Sequence, residues 1–306
     1  MEHSNWFVII NPKAGNGSAL KLWPKIEALL KTSNFNFQFT FTQYRNHATK
    51  LVEIAANKGF RNIICVGGDG TLHAIVNGLM LQKKVESSAI YVGLIPIGTG
   101  NDWAKTYNIP NTIKEAILLI KKDTIKVQDI GKIDFLESKK PSLYFNNLAG
   151  IGFDGLVAKK TEKLKHLGKL SYFIAACQSL LTFNNFEVEI IYKNNRSTTR
   201  SLMVLVGLCT YSGGGMRLTD TPNPKDGLFD ISNVTNFNTW DFIKNLPKLY
   251  NGKVQAAKKV NTFKTDSILV LSNKRTKDFY MQTDGEVFNA ENINISILKQ
   301  AFSFYT

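Results

Sequence analysis

Cysteine is scarce in this sequence, and long apolar runs are missing. The 306 residues include three cysteines, Cys65, Cys177 and Cys209, which lie far apart and form no CxxC pair. We therefore expect reduced, mostly buried thiols rather than disulfides or metal ligands. No apolar run reaches the roughly 20 residues of a membrane-spanning helix, and the amino terminus lacks the basic patch and long apolar segment of a signal peptide. These absences predict a cytoplasmic protein.

Acidic residues are also few, since 24 Asp and Glu stand against 38 Lys and Arg and give a net charge of +14. A surplus of this size attracts polyanions such as nucleic acid, an anionic bilayer or a phosphorylated substrate. From Lys244 to Lys277 there are nine basic residues and one acid, Asp266. A second basic cluster lies on a predicted helix and consists of Lys159, Lys160, Lys163, Lys165 and Lys169. By itself, the charge is equally consistent with a solvated surface that keeps the protein soluble.

Residues 1–130 alternate short β-rich runs with segments of helical periodicity, which indicates a parallel sheet with helices on both faces. The predicted strands are 6–10, 35–42, 62–66 and 90–95, and the predicted helices are 19–31, 47–58 and 71–80. Pro24 falls inside the first of these helices, so we expect a kink or a later start there.

Residues 131–306 show a different pattern. β-branched and aromatic runs bounded by Asn, Gly and Lys predict a mostly antiparallel, β-sandwich-like second domain. These runs are 186–192, 201–208, 228–234, 267–271 and 293–298. Apolar residues at three- and four-residue spacing from Leu156 to Leu181 predict one long helix between them. The boundary falls near residue 130, and the last strand can return to the first domain.

Three glycine-bearing turns follow predicted strands of the first domain. They are NPKAGNG at Asn11–Gly17, GGDGT at Gly67–Thr71 and PIGTGNDWA at Pro96–Ala104. Glycines let backbone N–H groups approach a ligand closely, and a helix N-terminus favours phosphate. None of the turns is a Walker A or GxGxxG motif. Because ligands of open α/β sheets bind at the carboxyl ends of the strands, we expect the three turns to converge on one phosphate-bearing ligand.

These motifs, in this order, resemble the diacylglycerol-kinase-type lipid kinases, a family that includes sphingosine kinases and is more distantly related to NAD kinases. The resemblance extends over nearly the whole chain, through GGGM at Gly213–Met216, PKDGLFD at Pro224–Asp230 and TDGE at Thr283–Glu286. It implies a kinase that transfers the γ-phosphoryl group of ATP to a lipid hydroxyl with the aid of Mg²⁺. Diacylglycerol is the first candidate acceptor, ahead of phosphatidylglycerol, a sphingoid base or an isoprenoid alcohol.

The resemblance also implies roles for individual residues. Contacts to ATP are expected from Asn11, Pro12, Lys13, Ala14, Gly15, Thr42, Gly67, Gly68, Asp69, Gly70, Thr71, Leu72, His73, Thr99, Gly100 and Asn101. Asp69, Asp102 and Asp129 would organise water and catalytic Mg²⁺. Asp284 and Glu286 match the late acids, one of which is the general base. The glutamate is favoured in the family, but the sequence leaves both open.

A second, structural metal is implied at the PKDGLFD motif. Its ligands would be Asp226 and backbone carbonyls near Asn223 and Leu228. The resemblance further implies peripheral association with an anionic membrane surface, and it allows a homodimer. No nucleic-acid partner is expected from it.

Three alternatives stay open at this stage. One is an NAD-kinase-like enzyme that acts on a soluble nucleotide, although GTGND followed by a late DGE is the lipid-kinase pattern. A basic nucleic-acid-binding protein would explain the charge, but it would leave three phosphate turns without a role. A catalytically silent ATP-binding regulator conflicts with intact acids at Asp69, Asp102, Asp284 and Glu286.

Overall fold

The structure is a computed structural model that describes residues 5–164, 170–180, 182–253, 256–272 and 279–306. The chain forms two compact units. One comprises Met1–Gln128 together with Gln300–Thr306, and the other comprises Asp129–Lys299. Each unit has its own hydrophobic core.

The first unit contains a parallel sheet of four consecutive strands. These are β1 (Asn5–Ile10), β2 (Asn36–Phe41), β3 (Asn62–Gly67) and β4 (Tyr91–Pro96). Their order in the sheet is β4-β3-β1-β2. All but the first residue of β1, β3 and β4 are buried, as expected for parallel strands that are covered on both faces.

In the described part of the first unit, five α-helices follow these strands. They are α1 (Ser18–Thr32), α2 (His47–Asn57), α3 (Asp69–Leu81), α4 (Asp102–Thr106) and α5 (Ile113–Lys121). One face of the sheet packs on α1 and α5, where Trp23, Ile26 and Ile117 meet Val8 and Ile64. Helices α2 and α3 pack against each other and contact β1 and β3.

The α/β architecture predicted for the amino-terminal part is confirmed. The later start predicted for the first helix is wrong, because α1 begins at Ser18 and includes Pro24. A proline lacks the N–H that would bond to the carbonyl four residues earlier. That carbonyl belongs to Leu20, a residue that is 54% exposed. Water can therefore take the place of the missing donor.

The second unit is built mainly from antiparallel strands, which confirms the prediction for this part of the chain. The strands are β5 (Ile125–Phe135), β6 (Leu143–Phe145), β7 (Leu148–Gly152), β8 (Phe186–Tyr192), β9 (Asn195–Gly207), β10 (Phe229–Thr235), β11 (Val260–Thr265), β12 (Ser267–Leu271), β13 (Tyr280–Thr283), β14 (Glu286–Asn289) and β15 (Ile293–Tyr305). Strand β15 pairs with β12 through its first residues, and its residues Ser303 and Phe304 pair with β4 in the first unit.

The single long helix predicted for the second domain is wrong. Two helices, α6 (Phe153–Leu164) and α7 (Leu170–Leu180), pack against each other. The Lys160 ammonium on α6 donates to the Gln178 carbonyl on α7 at 2.9 Å, a contact that one straight helix could not make across 18 positions at 1.5 Å per residue. Residues 165–169 and Leu181, which the prediction included, lie outside the described residues. A third helix, α8 (Thr239–Asn251), was not predicted.

Cys65 and Cys209 are buried, as expected, whereas Cys177 on α7 is exposed, so the expectation of a buried thiol is wrong for this residue. Burial raises the pKa of the Cys65 thiol, and the negative charge of Asp69 adds to the effect. In the described ranges, none of the helices combines the length and the apolar character needed to cross a membrane.

Candidate active site

The three glycine-bearing turns lie at one edge of the parallel sheet, because they follow the neighbouring strands β1, β3 and β4. The four strands are parallel, and β2 lies on one side of β1 whereas β3 and β4 lie on the other, so the order of strand addition switches between β1 and β3. Ligands of open α/β sheets bind at such a switch point, outside the carboxyl ends of the strands. The sheet topology therefore singles out the turns after β1 and β3.

The first turn, Asn11–Gly17, is bonded directly to the second. The Asn11 backbone N–H donates to the Val66 carbonyl at 3.0 Å, and the Asn11 side-chain amide donates to Thr71 Oγ1 at 3.0 Å. Asn11 Oδ1 accepts the N–H of Lys13 at 3.0 Å, which folds the turn back on itself. A single side chain thus fixes the shape of the first turn and its distance from the second.

The second turn leads into α3, which begins at Asp69 and has 13 residues. Thr71 is only 5% exposed, and its hydroxyl accepts the bond from Asn11. The first N–H groups of a helix lack carbonyl partners within the helix, so they favour an anion. The start of α3 therefore has the chemistry of a phosphate site.

The third turn, between β4 and α4, packs closely on the second. A Cβ added to Gly98 would lie 2.5 Å from Asn101 Oδ1 and 3.1 Å from the Gly68 Cα, so the close approach requires glycine. The Asn101 side-chain amide donates to the Gly98 carbonyl at 3.1 Å. Asn101 Oδ1 is buried and accepts no hydrogen bond from the described residues. An acceptor buried in this way is costly unless water or a ligand supplies a donor.

Asp69 joins the second turn to the third. Its two carboxylate oxygens accept the backbone N–H groups of Asp102 at 3.2 Å and Trp103 at 3.3 Å, at the start of α4. A Cβ placed on Gly100 would lie 3.1 Å from Asp69 Oδ2 and 3.7 Å from Asp102 Oδ2. The two carboxylates therefore approach the same backbone position. Asp102 also pairs with the Lys105 ammonium at 2.8 Å.

This pair of carboxylates fits one kind of metal ion. In the part of the chain that the structure describes, no three His, Cys, Asp or Glu side chains are grouped to share a metal. Mg²⁺ in kinases is usually held by one or two carboxylates, with the remaining ligands supplied by phosphates and water. Asp69 and Asp102 thus suit a Mg²⁺ ion that binds together with a nucleotide, whose phosphate charge would offset the repulsion between the ion and the Lys105 ammonium beside Asp102.

The other predicted nucleotide contacts differ in exposure. Thr99 and Lys13 are exposed, whereas Leu72 and His73 are buried on α3. The His73 ring nitrogen Nε2 lies 3.3 Å from the Asn77 side-chain amide. Thr42 follows β2, and its N–H donates to the Ile10 carbonyl at 2.8 Å. Contacts of these residues with ATP stay predictions.

The two late acids lie at a hairpin in the second unit. Strands β13 and β14 pair so that Thr283 faces Glu286, which leaves Asp284 and Gly285 as a two-residue loop. Both loop residues have positive φ, 50° and 86°, as in a type I′ turn. The turn explains why an aspartate and a glycine stand together at these positions.

Asp284 is held by the backbone before β7. One carboxylate oxygen accepts the N–H of Asn146 at 2.9 Å, and the other accepts the N–H groups of Asn147 at 2.9 Å and Leu148 at 3.0 Å. The sequence hardly indicates Asn146 and Asn147, because their one local signal is an Asn pair before a short apolar strand. These three bonds anchor the hairpin that carries Glu286.

Asp129, the third predicted Mg²⁺ residue, belongs to the second unit. It is fully buried, and its carboxylate accepts the N–H of Gly227 at 2.8 Å. Its own N–H donates to the Pro224 carbonyl at 2.8 Å. Asp129 therefore holds the loop that contains the PKDGLFD motif.

The predicted structural metal ligand, Asp226, lies in that loop. One of its oxygens accepts the N–H of Leu228 at 3.0 Å, and the Asn223 carbonyl accepts the Asp226 N–H at 3.4 Å. The other Asp226 oxygen lies 3.8 Å from the Lys264 ammonium. The Asp226 carboxylate therefore already has an amide and a cation as neighbours, and the sequence pattern gave no indication of Lys264.

Comparison with known proteins agrees with this geometry. The family model described as "Diacylglycerol kinase catalytic domain" matches residues 5–133, and the model described as "YegS C-terminal NAD kinase beta sandwich-like domain" matches residues 147–305. A diacylglycerol kinase of Staphylococcus carnosus is 28% identical over 302 residues, covering 98% of this chain and 94% of the relative. A diacylglycerol kinase of Bacillus subtilis is 29% identical over 240 residues, covering 78% of this chain and 76% of the relative.

A solved structure has the same fold. The crystal structure of a diacylglycerol kinase from Bacillus anthracis has a TM-score of 0.73 and 24% identity, and the match covers 100% of this chain and 98% of the other. The two family models together account for most of the sequence, and the second alone matches more than half of it. The chain therefore belongs to the diacylglycerol-kinase family and is a lipid kinase.

Proposed function

We propose that the protein transfers the γ-phosphoryl group of ATP to the hydroxyl of diacylglycerol in a Mg²⁺-dependent reaction. The observation that carries this proposal is that the three glycine-bearing turns lie at one edge of the sheet and are bonded to one another. Asn11 bonds to Thr71, and Asp69 bonds to the first amides of α4. Phosphoryl transfer requires positioning and stabilisation of charge rather than covalent chemistry by the protein. A rigid cluster of backbone N–H groups and carboxylates meets that requirement.

In this reaction the backbone amides of Asn11–Gly17 and the first turn of α3 hold the phosphates of ATP. Asp69 and Asp102 would hold Mg²⁺, which would supply positive charge at the phosphate oxygens. Because Asp69 is fixed by two amide N–H groups, its carboxylate is positioned before the nucleotide binds. Asp129 supports the reaction indirectly, by fixing the 223–228 loop through Gly227.

Glu286 is the proposed general base. A lipid alcohol is a weak nucleophile, and a positioned carboxylate that accepts its proton contributes roughly 10²–10⁴-fold to the rate. Asp284 is the poorer candidate because its two oxygens already accept three backbone N–H bonds. We assign to Asp284 the role of orienting the hairpin, and to Glu286 the proton transfer.

The decisive experiment supplies purified protein with γ-labelled ATP, Mg²⁺ and a total lipid extract, and then identifies the labelled product. Labelled phosphatidic acid is the expected result. Its rate of formation should fall roughly 10²–10⁴-fold in the Glu286→Gln variant and stay unchanged in Glu53→Gln, which changes an exposed glutamate on α2. Parallel reactions with NAD test the NAD-kinase alternative. Labelling of NAD without labelling of any lipid would contradict the proposal.

Diacylglycerol resides in membranes, so the protein must meet a bilayer surface to use it. The net charge of +14 suits an anionic surface. We propose peripheral, salt-sensitive association with such a surface, because interactions between exposed charges are screened beyond roughly 8 Å at physiological ionic strength.

A further inference from the structure

Helix α8 exposes two large apolar side chains in the second unit. Trp240 is 79% exposed and Ile243 is 53% exposed. The residues 240, 243, 244 and 247 follow the three- and four-residue spacing of one helix face, and all four are exposed. The same helix buries Phe242, whose ring lies 5.4 Å from that of Phe153. One face of α8 therefore packs against the second unit, and another face, which is apolar and basic, is exposed.

The first turn of α8 is held in place by hydrogen bonds and an ion pair. Asn238 and Asp241 form a reciprocal capping box at the start of α8. Asp241 also pairs with the Lys259 ammonium at 2.6 Å. These bonds fix the first turn of the helix, which contains Trp240. A tryptophan fixed at the surface in this way is unusual, because a tryptophan is highly buried on average.

The charge around this face identifies its partner. Lys244 lies on the exposed face beside Trp240, Lys248 follows in the last turn of the helix, and Lys253 lies just beyond its end. The acid of the helix, Asp241, is already paired with Lys259. Apolar side chains flanked by lysines match an anionic bilayer, because a tryptophan prefers the membrane–water interface and lysines are attracted to acidic headgroups.

We propose that α8 is the membrane-docking element of this protein. Trp240 and Ile243 enter the boundary between headgroups and acyl chains, while Lys244 contacts anionic headgroups. A helix that lies in the interface in this way binds through its buried apolar area and its positive charge. The proposal rests on the proposed function only in that a lipid substrate brings the protein to a bilayer, and docking itself requires no catalysis.

Tryptophan fluorescence offers a direct test. The other three tryptophans, Trp6, Trp23 and Trp103, are buried at 7%, 6% and 1% exposure. Vesicles of phosphatidylcholine and phosphatidylglycerol should therefore shift the emission to shorter wavelength, and brominated lipid should quench it, through Trp240. The Trp240→Phe variant should lose both signals. Unchanged signals in that variant would overturn the proposal.

Vesicle sedimentation provides the matching affinity measurement. The double variant Trp240→Ser, Ile243→Ser should bind these vesicles roughly ten- to hundred-fold more weakly, because two large apolar side chains no longer enter the bilayer. Leu118→Ser, at an exposed apolar position on α5, should bind like the unmodified protein. Equal binding by the double variant and the unmodified protein would contradict docking through α8.

Two further measurements distinguish membrane docking through α8 from failure of the proposed catalytic function and from a dimer interface at the same face. Turnover of a short-chain diacylglycerol in detergent micelles should be similar in the double variant and the unmodified protein, whereas failure of the proposed function would abolish turnover in both without affecting vesicle binding. If sedimentation velocity without lipid shows that Trp240→Ser converts a dimer to a monomer, this face is an interface between two copies and the membrane proposal is wrong.

An independent observation concerns the cation expected at Asp226. The Lys264 ammonium lies 3.8 Å from the carboxylate oxygens of both Asp226 and Asp230, and it donates to the Thr221 carbonyl at 2.9 Å. Lys264 on β11 is paired directly with Asp230 on β10, so the sheet fixes its backbone, and the bond to Thr221 orients its ammonium. A divalent ion bound to Asp226 would lie close to this ammonium and be repelled. The residues present therefore do not fit the structural metal that the resemblance implies.

We infer that Lys264 supplies the positive charge that holds the 220–228 loop in this protein. The melting temperature should then be the same in EDTA and in millimolar Mg²⁺ without ATP, and dialysed protein should contain no stoichiometric divalent metal. Lys264→Met should lower the melting temperature, whereas Lys258→Met, at an exposed lysine, should not. A tightly held divalent ion that is lost in Asp226→Asn would overturn the inference, whether or not Lys264→Met folds.

Discussion

At the scale of single residues, Asp69 has two roles that the sequence does not separate. The GGDGT motif predicts an aspartate in a turn that can reach a metal ion. In the structure its carboxylate also accepts the N–H groups of Asp102 and Trp103, which are 33 and 34 positions later in the chain. The residue thus ties two turns together while it presents negative charge beside Gly100. Substitution should therefore affect both turnover and stability.

We expect Asp69→Ala to lower kcat by roughly 10²–10³-fold, the usual loss when one preorganised electrostatic group is removed. It should also lower the free energy of unfolding by about 1–3 kcal/mol, because two amides lose their acceptor. Asp69→Asn should lower kcat similarly but destabilise less, since one acceptor oxygen remains. Urea unfolding and labelled-ATP kinetics measure the two effects. Full activity in either variant would exclude Asp69 from the site.

The two acids of the hairpin should respond differently to loss of charge. Glu286→Gln should lower kcat with little change in ATP affinity, as expected for a group that acts only in the transition state. Asp284→Asn should lower the free energy of unfolding by about 1–3 kcal/mol, because one oxygen that accepts a backbone N–H is replaced by a donor. If Glu286→Gln keeps its kcat, the base must be sought elsewhere.

At the scale of secondary-structure elements, local periodicity located most of the strands and the first three helices, and the misses at α6, α7 and α8 have local causes. Residues 186–192 and 267–271 form strands with the predicted bounds. Helix α8 was missed because Pro247 lies inside it and a proline normally argues against a helix interior. The α6–α7 region was misjudged because two helices that pack side by side show the same apolar spacing as one continuous helix.

Helix α1 offers a test of its internal proline. Pro24 is exposed within α1, so Pro24→Ala should remove a helix penalty of up to about 3 kcal/mol. The greater freedom of the unfolded chain offsets about 0.4–1 kcal/mol of that gain. We expect a net stabilisation of about 1–2 kcal/mol in urea unfolding. Lys25→Ala, at the next exposed position, should change stability by less than about 0.5 kcal/mol. A destabilised Pro24→Ala protein would show that the proline is required.

At the scale of the whole molecule, the last residues of the sequence belong to the first unit and not to the second. Gln300–Thr306 belong to the same compact unit as Met1–Gln128. Phe304 is fully buried there, with its ring 4.8 Å from Trp103 and 4.5 Å from Tyr107. The Tyr305 hydroxyl donates to the Asn62 side chain at 2.7 Å. The last seven residues therefore support the helix that carries Asp102.

Phe304→Ala should lower the free energy of unfolding by about 3–5 kcal/mol, the usual cost of removing a fully buried aromatic ring. It should also weaken ATP binding, because α4 loses a ring that packs on Trp103. Phe39→Ala, at a position that is 42% exposed on β2, should cost much less. Urea unfolding and nucleotide titration measure both effects. A loss below about 1 kcal/mol would show that the final strand contributes little to this unit.

ATP with Mg²⁺ should stabilise the protein as a bound ligand does. At a concentration of 100 times Kd, the expected gain is about 2.7 kcal/mol in the free energy of unfolding. Mg²⁺ alone should give little, because Asp69 and Asp102 supply only part of its ligands. A thermal scan with ATP, Mg²⁺ and both together measures the difference. An equal effect of Mg²⁺ alone would indicate a complete metal site in the protein.

The sequence by itself determined the order of the first four strands and first three helices, the division into an α/β part and an antiparallel part, and the three glycine-bearing turns. These features depend on periodicity and on turn residues, which are local. The tertiary structure alone decided that Asp69 fixes the start of α4, that Asp284 is bound by amides 136 to 138 positions away, and that Lys264 faces Asp226. Such contacts depend on which segments the sheets bring together, and a local pattern carries no information about partners so distant along the chain.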